Sequence, residues 1–127
     1  MQSRLDLARV AGDLAVCRMD PDAETPAWVA GGDLWCVSRT PDELSLICAF
    51  GQVPPEVRCE GPWRALQVQG PLDFALTGIL AALAVPLAKA GIPIFALSTF
   101  DTDYLLVKAN QLEAAAVALR GAGHRVQ

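Results

Sequence analysis

Residues 70–104 read GPLDFALTGILAALAVPLAKAGIPIFALSTFDTDY, and the fold is decided there. Gly70-Pro71 marks a tight turn. Leu76, Ile79, Leu80, Leu83 and Leu87 then recur at spacings of three and four, which predicts one apolar face of a helix, with Ala82, Ala84 and Ala88 thinning it for close packing on a sheet. Pro86 conflicts with that helix, because it lacks an N–H and should kink the last turn or two at a cost of about 3 kcal/mol. Gly91 supplies the stop. Residues 92–99 form a continuous apolar run that reads as a strand buried on both faces, and 104–109 reads as its antiparallel partner across an acidic turn.

The pattern extends in both directions. Upstream, residues 63–69 alternate as a strand. Downstream, Asn110 with Glu113 three residues on resembles a capping box, Leu112, Ala115, Ala116 and Leu119 line a helical face, and Gly121 and Gly123 end it before a last strand at 124–126. In the first half, residues 14–19 read as a strand ending at Asp20-Pro21-Asp22. Thr25-Pro26 opens a helix of a turn or two that Gly31-Gly32 stops, and 34–39 with 44–50 form a hairpin about Thr40-Pro41-Asp42-Glu43. SRTPDELSLI at 38–47 aligns without gaps on STFDTDYLLV at 98–107, matching Ser38 with Ser98 and Glu43 with Asp103. Two copies of one βαββαβ unit follow, neither able to bury its sheet alone. The Pro-rich segment 53–61 is the expected boundary, giving an N-terminal unit over 1–61 with reduced helices and a C-terminal unit over 62–127.

Composition narrows the function. A chain of 127 residues that is 53% hydrophobic and 19% charged is globular, with enough apolar surface for a homodimer. Net charge −4, with ten Lys and Arg scattered along the chain, excludes a nucleic-acid binder and disfavours an anionic membrane surface. Acids within the first apolar stretch argue against a signal peptide, so a cytoplasmic protein is expected. Cys17, Cys36, Cys48 and Cys59 form no C-x-x-C pair and read as buried thiols, and with His124 as the single histidine neither a metal site nor a cofactor is expected. Trp28, Trp35 and Trp63 read as core. No triad, phosphate loop or H-E-x-x-H points to an enzyme.

Chemistry concentrates around the helix opening at 73–78. Its free N–H groups and positive dipole end suit a carboxylate, with Gly78 allowing close approach and Thr77 adding a hydroxyl. Ser98, Thr99, Asp101 and Asp103 offer acceptors for an ammonium or a cationic side chain, so a zwitterion would be gripped at both ends. A plainer reading stands beside it: Asp73 as an N-cap, Asp101 and Asp103 as turn formers, Gly78 as a close-packing residue. The same division runs through function, between an amino-acid sensor and a structural or protein-interaction dimer scaffold without a ligand.

WRALQVQGPLDFALTGIL, PLAKAGIPIFALSTFDTDYLLV and LEAAAVALRGAGH, with WCVSRTPDELSLIC in the first half, resemble the ACT-domain superfamily, in particular small paired-ACT proteins related to the aspartate kinase regulatory region and the cytosolic arginine sensor. That resemblance implies an α+β fold of two ferredoxin-like βαββαβ units packed side by side with antiparallel sheets. It implies a free amino acid held by the loop Leu72, Asp73, Phe74, Thr77, Gly78 and Ile79 and the strand edge Ser98, Thr99 and Phe100, with Asp103 at the acidic position that helps hold the ligand. A non-enzymatic, allosteric output would pass through a separate effector protein.

Overall fold

The computed structural model describes residues 4–70 and 77–127, so the expectations for Leu72, Asp73, Phe74 and Leu76 lie outside the described residues. Contacts divide the chain into a unit of residues 1–10 with 65–127 and a unit of residues 11–64. This differs from a division at 61/62. Leu5 and Leu7 are buried in the core of the second half, so the N-terminal segment goes with that half, and the change of unit falls inside a strand, not in the Pro-rich segment.

The unit of residues 11–64 holds β2 (Leu14–Met19), β3 (Cys36–Arg39), β4 (Leu44–Ala49) and the first part of β5 (Arg58–Val68). Their order is β3-β4-β2-β5, with every pairing antiparallel. Where a ferredoxin-like βαββαβ unit carries helices, this one has single 3-10 turns at Ala27–Val29 and Phe50–Gln52. Ala15, Cys17, Val29, Leu44, Leu46 and Cys48 make its core, with Trp28 packed against them. Trp35, expected in the core, is 46% exposed just before the edge strand β3. Segment 53–61 is irregular only as far as Val57, and β5 begins at Arg58 despite Gly61 and Pro62. The ladder with β2 shifts register between Leu14 and Val16, and such a bulge accommodates a proline in a strand. Gly61 is required there, because a Cβ would lie 2.9 Å from the Leu14 carbonyl oxygen.

The other unit contains β1 (Asp6–Arg9), the end of β5, α1 (Ile79–Lys89), β6 (Phe95–Ser98), β7 (Asp103–Lys108), α2 (Leu112–Gly121) and β8 (Arg125–Val126). Its strand order is β8-β1-β5-β7-β6, in which β1 runs antiparallel to β5 and parallel to β8. The βαββαβ frame is therefore complete, with one strand from the chain's start inserted beside its first strand. Only four residues long, β1 shows itself in the sequence merely as Leu5 and Leu7 alternating with Arg4 and Asp6. Leu66, Val68, Leu105 and Val107 face Leu83, Leu87, Ala115, Ala116 and Leu119 of the helices in one core, each of these residues fully buried.

Two expectations change here. Strand β6 alternates between half-buried and exposed residues because it is an edge strand pairing with β7 alone among the described residues. The Asn110–Glu113 capping box does not form: a 3-10 turn, Ala109–Gln111, leads into α2, and Glu113 instead pairs with the Arg9 guanidinium. Both helices end in Schellman motifs, as their glycines suggest. Gly91 (φ 73°) lets Ile92 N–H reach Leu87 C=O at 2.9 Å, and Gly123 (φ 96°) lets His124 N–H reach Leu119 C=O at 3.1 Å.

Pro86 sits within a continuous α1, and the structure shows what makes this tolerable. A residue with an N–H at position 86 would donate to the carbonyl of Ala82, four residues earlier. That carbonyl is instead 3.0 Å from His124 Nε2, while Leu5 N–H donates to His124 Nδ1 at 3.1 Å. Because Nδ1 must accept from a backbone donor, the ring proton resides on Nε2 and is given to Ala82. The buried histidine thus replaces the donor that the proline lacks and ties β1 and α1 to the end of α2.

Candidate functional site

The hairpin between β6 and β7 carries most of the polar residues singled out from sequence. Its loop is the pair Phe100-Asp101, closed by Thr99 N–H donating to Thr102 C=O at 2.8 Å. Phe100 is 79% exposed, so its ring fills no cavity. Asp101 also lies in solvent. Directly across the ladder, Ser98 faces Asp103, and its hydroxyl donates to Asp103 Oδ1 at 2.6 Å. Ser98, Thr99 and Asp103 therefore stand together at one end of the sheet, while Phe100 and Asp101 project from it.

Alternation along β7 puts Asp103 on the same face as Leu105 and Val107, the face that packs on the helices. Comparing the β3–β4 hairpin with the β6–β7 hairpin shows how unusual that is. Thr40 N–H donates to Glu43 C=O as Thr99 N–H does to Thr102 C=O, so equivalent positions differ by 59 residues, one fewer than in the ungapped sequence match. A shift of one residue in a strand moves every side chain to the opposite face. Glu43 is thus equivalent to Thr102, and Asp103 is equivalent to Leu44, a fully buried core residue. An acid occupies a core-facing position where its counterpart is leucine. One of its oxygens is engaged by Ser98, which leaves acceptor capacity on the carboxylate.

Thr102 connects this hairpin to the strand that leads toward α1. Its buried hydroxyl donates to Val68 C=O at 2.6 Å, two residues before the turn at Gly70. On the far side of the intervening segment, Thr77 is exposed and Gly78 is the N-cap of α1 in a left-handed conformation, φ 78°. Nothing among the described residues lies within 4 Å of a Cβ built on Gly78, so its backbone angle, not close packing of helix on strand, requires glycine. Helix α1 thus opens at Ile79, with Gly78 offering no side chain as a cap and no acid in the first turn. The amides there have no intrahelical acceptors, and the positive end of the helix is uncompensated by its own residues. Ile79 packs against the core, whereas Leu80, assigned to the same face by periodicity, is exposed.

Sequence reasoning missed Thr102 and His124. The signal for the second was available: a lone histidine after a helix-ending glycine, together with a proline in the middle of a helix that needs a donor. Among the described residues, no group of three or more His, Cys, Asp or Glu could hold a metal ion, and no helix is long and apolar enough to cross a membrane.

Comparison with known proteins agrees with this geometry. The family model of the ACT domain matches residues 58–121, and a second family model, described as an N-terminal domain, matches residues 12–56. A crystal structure of an Agobacterium tumefaciens protein is similar at 39% identity over 99% of this chain and 94% of that one, with a TM-score of 0.93. The fold is also that of the regulatory subunit of aspartate kinase from Thermus flavus, at 13% identity over 94% of this chain and 97% of that one, with a TM-score of 0.62. Aspartate kinase from Clostridium acetobutylicum matches over 91% of this chain and 34% of its own length, at 12% identity and a TM-score of 0.68. The chain belongs to the ACT-domain family of regulatory ligand-binding modules.

Proposed function

We propose that this protein is a non-enzymatic sensor that binds a free amino acid and passes its occupancy to a separate effector protein. The observation that carries this reading is Asp103: a carboxylate held by Ser98 at a core-facing position, next to the strand end that leads toward a helix N-terminus whose cap is a glycine. The ligand's ammonium or cationic side chain pairs with Asp103 and Ser98, and its carboxylate accepts from the Gly78–Ile79 end of α1 and from Thr77. Leu72, Asp73, Phe74, Thr99 and Phe100 complete the proposed contact set. The exposure of Phe100 favours this reading over a scaffold whose site is filled by that ring. Edge strand β6 and the exposed Leu80, Val85 and Val117 supply surface for a homodimer.

Thermal denaturation in the presence of each of the twenty amino acids tests it. A ligand at 100 times its Kd stabilises the fold by about 2.7 kcal/mol, which appears as a clear rise in melting temperature. If none raises it at millimolar concentration, the proposal fails.

A further inference from the structure

Away from that site, three of the four cysteines meet on one face of the unit formed by residues 11–64. Cys17 of β2 lies directly opposite Cys59 of β5, and its thiol is within hydrogen-bonding reach of both Cys59 and Cys48. Directly opposed residues on antiparallel strands have Cα atoms about 4.5 or 5.5 Å apart, and both values fall inside the range a disulfide spans. Cys48 is opposite Ala15 and therefore diagonal to Cys17, at about 7–8 Å, beyond that range. Cys36 pairs with Ile47 on the outer strand. Exposure divides the pair: Cys17 is buried in the core, whereas Cys59, on the edge strand of its unit, is open to solvent. The expectation of four buried thiols thus fails at Cys59, and Cys36 is only half-buried.

We propose that Cys59 and Cys17 form a peroxide-oxidisable pair that closes into a cross-strand disulfide. In the first step the Cys59 sulfur attacks hydrogen peroxide. The O–O bond breaks, a sulfenic acid forms on Cys59, and the thiol proton leaves with the second oxygen as water. In the second step the Cys17 sulfur attacks the Cys59 sulfur. The S–S bond forms as the S–O bond breaks, and the departing hydroxyl takes the Cys17 proton as a second water. Both thiols are oxidised, one peroxide is reduced, and no further reactant is needed. The order of events follows from access: Cys59 is open to solvent and meets peroxide, whereas burial shields Cys17 and raises its thiol pKa, which keeps it from starting the reaction, and its place opposite Cys59 lets it close the bridge.

Intact-mass analysis, thiol titration after denaturation and peptide mapping of the purified protein treated with hydrogen peroxide test this directly. The expected result is loss of two of the four thiols, a single cross-linked peptide pair containing Cys17 and Cys59, and full reversal by dithiothreitol. Cys59→Ser, a change at an exposed position, abolishes the cross-link, and Cys48→Ser leaves it intact. In Cys17→Ser the sulfenic acid on Cys59 persists and is trapped by dimedone. A Cys17–Cys48 cross-link, irreversible oxidation of Cys59 without any cross-link, or retention of all the thiols would overturn the proposal. None of these outcomes depends on amino-acid binding.

Discussion

Replacing His124 by Ala removes the donor to Ala82 C=O and the acceptor for Leu5 N–H, both at a buried ring. Each orphaned backbone group costs about 1–3 kcal/mol, and the lost ring adds a cavity, so the expected destabilisation is about 3–5 kcal/mol. The Ala82 share of that cost exists only while residue 86 lacks an N–H. Pro86→Ala restores the donor to Ala82, so in that background His124→Ala orphans Leu5 alone. The cost of removing His124 then falls by about 1–2 kcal/mol. Equilibrium urea unfolding of the wild type, both single variants and the double variant, followed by circular dichroism, measures the coupling. Costs that add to within about 0.5 kcal/mol would refute the claim that the histidine stands in for the proline's missing donor.

Three further expectations follow from particular contacts. Asp103→Leu places in β7 the residue found at the equivalent position of the other hairpin; urea unfolding should show a gain of about 0.5–1 kcal/mol while amino-acid binding is lost. Thr102→Val keeps the shape but leaves Val68 C=O without its buried hydroxyl donor, and should cost about 1–2 kcal/mol in the same assay. For Glu113 the hydrogen bond from Arg9, and secondarily its charge, hold the carboxyl below its usual 4.5. A depressed folded-state pKa stabilises above the unfolded value and is lost as pH falls through the folded one, so an acid unfolding titration below about pH 4.5 should differ between wild type and Glu113→Gln. That contribution is present in full near neutral pH, where it is modest because the pair is exposed, and Glu113→Gln should lack the part of the acid-induced loss that the wild type shows.

Periodicity made the long elements legible. Leu112, Ala115, Ala116 and Leu119 are the buried face of α2, and the stop at Gly91 and the hairpin strands are where alternation and turn chemistry put them. What escaped depends on partners distant in the chain. Strand β1 is defined by its pairing with β5 and β8, residues some sixty and some hundred and twenty positions away. β6 is apolar enough for a central strand yet lies at an edge, which only topology decides. Trp35 and Leu80 are apolar but exposed, since hydrophobicity states what can be buried and not what is. The candidate site was half legible: Ser98 and Asp103 were identified as acceptors, but the one-residue offset between the hairpins hid the fact that Asp103 replaces a core leucine. The acid at a core-facing position is a local inconsistency of the kind that marks function.

Titration calorimetry of the wild type and of Asp103→Ala, with whichever amino acid raises the melting temperature most, bears on the sensor reading most directly. The account predicts saturable heat with the wild type and at least about tenfold weaker binding in the variant, the effect of losing a charge-assisted hydrogen bond worth about 1.4 kcal/mol or more. Equal affinity in the two proteins, or no heat in either, would contradict it.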